Sequence, residues 1–147
     1  MKMRFNTQQL PIRIVLSMSF SVMGTWFGYA GACFVWGYIY SIGSTVITDE
    51  LYDHLYSDVG RWGAIAGACS GLAIGIMPVK LPFIIFTFLL AHSASVFSGM
   101  IGGASGWKQG LIAYFGGHAV VTIGCALLLA FDIIRSIVRL AKGDTSP

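Results

Sequence analysis

The sequence predicts an all-α polytopic membrane protein, a four-transmembrane-helix bundle with glycine-zipper packing and one short helix lying outside. Three observations predict it. Only 10% of the 147 residues are charged and 56% are hydrophobic, whereas a typical soluble domain carries about 25% charged residues. The apolar stretches are each close to the roughly 20 residues that a bilayer core requires. Four glycines at four-residue spacing, Gly63, Gly67, Gly71 and Gly75, sit inside an uncharged run from Trp62 to Val79. In water each would be about 1 kcal/mol worse than alanine in a helix. In lipid the same spacing makes a flat face on which another helix backbone can approach closely. The length suits one bundle and not two domains, so residues 1–147 are read as a single integral membrane domain.

The first span begins after Arg13 and covers about residues 14–36. The uncharged run from Ile14 to Thr48 would make a helix of about 52 Å, longer than one span needs. The chain is therefore expected to leave the membrane near Trp36–Tyr40, with a re-entrant hairpin inside 14–48 as the alternative. Ala30-Gly31-Ala32-Cys33 loosely resembles a lipoprotein cleavage site, but Ala30 stands where a larger aliphatic residue is usual. The stretch is accordingly read as the first span of an intact chain. Next, Thr48 reads as a helix N-cap with Asp49 and Glu50 in the first turn. Ile47, Leu51 and Leu55 follow at four-residue spacing, and Gly60 is expected to end this helix. Residues 47–59 thus form an acidic helix lying on the membrane surface.

The second span, 62–79, carries the four glycines on one side and Ile65, Leu72 and Ile76 nearly opposite. Met77-Pro78-Val79-Lys80-Leu81-Pro82 then suits a tight turn. The third span, 81–103, has a small face of its own in Ala91, Ser95, Gly99 and Gly103. Shorter versions occur as Gly24, Gly28 and Ala32 in the first span and as Ala113, Gly117 and Gly124 in the fourth, about 110–134. The small faces of the second and third spans are the expected helix-packing interface, with one face left for a partner.

Charge orients the bundle. With the N-terminus inside, Lys2, Arg4, Arg13, Lys80, Arg135, Arg139 and Lys142 lie on the inner side, against Arg61 and Lys108 outside. This is the positive-inside pattern, and Trp36, Trp62 and Trp107 fall at the outer ends of spans, where aromatic belts sit. Both termini are then cytoplasmic, and size and charge bias point to a bacterial inner membrane. The pI near 8.9 does not imply a nucleic-acid partner, because Lys and Arg cluster at the ends of apolar segments instead of forming a basic face.

The fourth span carries the chemical pattern. Tyr114, His118, Thr122, Cys125 and Asp132 fall within about 80° around the helix, so the stripe should face the bundle interior. His92 lies midway along the third span. Counted from the inner ends of their spans, His92 is about 16 Å and His118 about 24 Å deep, neighbours but not at one level. Three readings arise: structural hydrogen bonding between helices, a proton or ion path through His92, His118 and Asp132, or a metal site with Cys69 and Cys125. The first is preferred, with Asp132 pairing with Arg135 one turn later. No paired-ligand motif is present, so neither metal nor cofactor is expected. Phosphate-binding, dinucleotide, Ser/His/Asp and metalloprotease motifs are also absent, which argues against an enzyme.

The expected function is that of a small non-enzymatic inner-membrane protein working through intramembrane helix contacts. An accessory or assembly subunit fits, as does an immunity- or exclusion-type inhibitor of a membrane partner. Its partners would be the lipid bilayer and either another membrane protein or further copies of itself. The alternative is a self-assembling pore, a holin-like protein or a small ion or proton transporter.

Overall fold

The computed structural model describes residues 10–42 and 48–141. They form four helices: α1 (Leu10–Ser41), α2 (Asp49–Gly75), α3 (Leu81–Gly103) and α4 (Trp107–Ala141). Helices α1, α3 and α4 are long and apolar enough to cross a membrane, which points to an integral membrane protein. The distribution of side chains fits that solvent. Trp26, Phe86, Ile101, Val120 and Phe131 face outward, while Ser70, Ser95 and His118 are fully buried.

Helix α1 runs unbroken to Ser41, so no re-entrant hairpin forms among the described residues of 14–48. Its last turns persist because Val35, Trp36 and Ile39 are completely buried in the bundle. Helix α2 corrects a second expectation. The acidic segment is not a separate surface helix ended by Gly60; it is the first half of one continuous helix through Gly75. Gly60 keeps ordinary helical geometry, since the positive φ among described residues belongs to Gly106 alone. Its role is spacing. A Cβ there would lie 2.6 Å from the Tyr29 ring and 3.0 Å from Cys33 Sγ. The helix starts as expected, with the Thr48 hydroxyl accepting the Leu51 N–H at 3.3 Å. Ile47, Lys2, Arg4 and Lys142, which entered the sequence reading, lie outside the described residues.

Two tight turns set the hairpins. Between α2 and α3, Met77 and Pro78 are buried, the Arg13 guanidinium donates to the Met77 carbonyl, and Pro82 sits in the first turn of α3. Between α3 and α4, Gly106 takes φ 143°, a conformation that side chains rarely tolerate.

Packing follows the small residues. A Cβ at Gly67 would overlap the Gly24 carbonyl of α1, one at Gly63 the Gly28 carbonyl, and one at Gly71 the Phe20 carbonyl. At Gly75 it would lie 2.5 Å from Ser17 Cα. The two backbones therefore touch along this whole row. Ser17 adds a hydrogen bond to the Leu72 carbonyl at 2.8 Å. On α3, the space at Gly99 is filled by Val35 and Tyr114 and that at Gly103 by Ile39, while Ser95 packs on Gly117. Gly124 faces open space.

Trp36 departs from the aromatic-belt expectation. Trp62 is exposed, but Trp36 has no exposed surface. Its indole stacks on Tyr52, with centroids 6.0 Å apart, and meets the edge of Trp107 at 5.9 Å. Its N–H donates to the Tyr52 carbonyl at 3.3 Å. Tyr40 closes the same cluster, its hydroxyl donating to the Asp49 carboxylate. The amphipathic indole thus ties the acidic half of α2 to the end of α1.

Candidate functional site: a buried polar centre

The α3–α4 hairpin brings the two mid-helix histidines together. His92 stands 11 residues before Gly103, the last residue of α3, and His118 stands 11 residues after Trp107, the first of α4. Their rings meet edge to face with centroids 4.9 Å apart. They share one level after all. Depth in a hairpin is counted from its turn, whereas the inner ends of the spans, used for the sequence estimate, are staggered because α4 continues to Ala141.

Each ring is anchored through Nδ1. His118, 1% exposed, places Nδ1 3.0 Å from Ser70 Oγ on α2. The Ser70 hydroxyl also reaches the Gly67 carbonyl at 3.1 Å. With its proton directed there, the oxygen accepts an N–H from His118. His92 Nδ1 lies 2.9 Å from the Phe88 carbonyl, which only accepts, so the neutral ring carries its hydrogen on Nδ1. Nε2 of both rings is buried without a hydrogen bond.

The rest of the stripe is mixed. Tyr114 has no exposed surface, and its hydroxyl donates to the Gly28 carbonyl of α1 at 2.7 Å, bridging 86 residues of sequence. Thr122 donates back to the His118 carbonyl at 2.9 Å within its own helix. Cys125 joins an apolar cluster with Phe20, Phe88 and Ala91. Asp132 is buried, and one of its carboxylate oxygens, Oδ2, has no hydrogen-bond partner. The expected pair with Arg135 does not form: the latter is exposed, and the ion pair among described residues is the surface contact Arg61–Asp58 at 3.6 Å. A side chain one turn further along the helix points out of the bundle while Asp132 points in. Cys69 is exposed and apart from this centre, and no group of three or more metal-ligating residues occurs among the described residues.

Ser70, the partner of His118, was missed by the stripe argument, which considered one helix at a time. Its signal in the sequence is that it is the one hydroxyl residue between Trp62 and Val79. The Gly28 carbonyl, the acceptor for Tyr114, left no signal, since every residue has one.

The hydroxyl of Tyr114 supplies a clean test of this centre. Tyr114→Phe should lower the stability of the purified bundle by about 1–2 kcal/mol, the usual cost of one buried hydrogen bond and its orphaned acceptor. Unfolding in a graded detergent mixture reads that change, and an unaltered midpoint would mean that the bond contributes nothing.

Comparisons with protein-family models, with curated proteins and with solved structures find no match to this chain.

Proposed function

We propose that this chain is a small non-enzymatic membrane protein that acts through intramembrane helix contacts, as an accessory or assembly subunit or as an immunity- or exclusion-type inhibitor of a membrane partner. In this reading α2 is the fourth span, the close row of Gly63, Gly67, Gly71 and Gly75 against α1 is a glycine zipper, and both termini are cytoplasmic at a bacterial inner membrane. One observation carries the reading. The polar side chains at the heart of the bundle are committed to holding helices together, Tyr114 to α1 and His118 to α2, in a tightly packed interior. The outward surfaces of α1, α3 and α4 are apolar, as they must be to meet lipid or another helix.

The unpartnered Oδ2 of Asp132 favours a second reading, a pore or small transporter, because a buried ionisable group in a membrane is a functional suspect by default. Purification of the tagged full chain in mild detergent, with mass spectrometry of retained proteins and a native mass, separates the two. One foreign membrane protein in fixed stoichiometry, retained by the Asp132→Asn variant, is the expected result. A homo-oligomer alone, with ion leak through vesicles that Asp132→Asn abolishes, would replace the first reading with the second.

A further inference from the structure

The groups printed around His92 share one character: they attract positive charge. Its Nδ1 faces the Phe88 carbonyl at 2.9 Å. The Gly24 carbonyl of α1 is a second backbone acceptor beside the ring. The phenyl rings of Phe88 and Phe27 lie with centroids 4.2 Å and 5.7 Å away. Both are inside the roughly 6 Å over which an aromatic ring attracts a cation. As neutral imidazole, His92 uses one carbonyl and leaves Nε2 as a buried lone pair among acceptors. As imidazolium it would carry a hydrogen on each nitrogen, one for each carbonyl. His118 sits in different company, with a hydroxyl at Nδ1 and the rings of His92 and Tyr114 beside it.

We propose that His92 is a proton-binding site in the middle of the bundle, caged by two backbone carbonyls and two phenyl rings, and that His118 stays neutral beside it. Two imidazolium rings this close in a medium of low dielectric would repel strongly, so the pair takes one proton. The titratable groups at this centre come from α4, namely His118 and, beyond it, Tyr114. Helix α2 brings Ser70 to His118, and α1 brings Phe27 and the Gly24 carbonyl. The buried charged residues are remote. Asp132 is 14 residues beyond His118, about 21 Å along α4, and Arg13 is 11 residues before Gly24, about 16 Å along α1.

The bound proton would tie α3 to α1 at Gly24, the residue whose backbone abuts Gly67 of α2. Proton uptake is therefore placed where it can alter how α1 sits against two neighbours at once. The site is independent of whether the chain serves a partner or forms a pore.

The test is ¹⁵N NMR of the full chain, labelled at the histidine rings and held in lipid nanodiscs, from pH 9 to pH 4. His54→Gln, His92→Gln and His118→Gln assign the three signals. The expected result is two titrating rings, the His54 ring and the His92 ring, with His118 keeping its neutral tautomer throughout. His92 should still titrate in the His118→Gln variant. A folded sample in which His92 stays neutral down to pH 4, or in which His118 takes the proton instead, overturns the proposal. Should His92→Gln fail to fold, the wild type with the other two variants still completes the assignment.

Discussion

Gly67→Leu should destabilise the folded bundle by about 3 kcal/mol or more, the upper end of what overpacking costs. The reason is the identity of the obstacle. A side chain at this position would run into the Gly24 carbonyl and, at 2.8 Å, the Cα of Gly28, and backbone atoms of a helix cannot rotate aside as a side chain tip can. The helices would have to separate, exposing Ser70 and His118, which depend on the same contact. Gly71→Leu should act alike, through the Phe20 carbonyl. Ile65→Leu is the matched control, because Ile65 is exposed on the opposite face and should change stability by no more than about 0.5 kcal/mol. Accumulation in membranes and resistance to unfolding in mixed detergent would both be measured. If the two glycine variants match the Ile65 control, the α1–α2 row is not what holds these helices.

Trp36→Ala carries the second large effect, about 3–5 kcal/mol, the range for removing a large buried aromatic. It would empty the space between Tyr52 and Trp107 and leave the Tyr52 carbonyl without the indole donor. The loss should be local before it is global. Hydrogen exchange of residues 49–59 should accelerate in the variant while the amides around His92 and Ser95 remain protected. Unchanged exchange in 49–59 would show that the acidic half of α2 stands without the aromatic cluster.

Much of the helical arrangement was legible in the sequence, because glycine spacing and hydropathy are local quantities. The third helix, Leu81–Gly103, was readable at both ends, where prolines and small residues mark the turns. Helix α2 was misread at Gly60, since a glycine that ends a helix and a glycine that admits a neighbour look identical until the neighbour is known. Here it is Tyr29, 31 residues earlier. Asp132 was misassigned for a similar reason. Spacing offers Arg135 as a partner, but only the packed helix decides which side chain turns inward. The inward face of α4 could be found from its angular pattern. Its acceptors could not, because they lie on α1 and α2 and one is a backbone carbonyl.

The continuity of α2 has a mechanical meaning. From Asp49 to Gly75 it is one rod of about 40 Å, with no break between its acidic half and the row of glycines. A hinge at Gly60 would have let the two halves move separately. Without one, anything that pulls or pushes on the acidic end, where Asp49, Glu50, Asp53 and Asp58 lie, loads the α1–α2 contact directly. The helix is a lever, and its short-range fulcrum is the place where Gly67 meets Gly24.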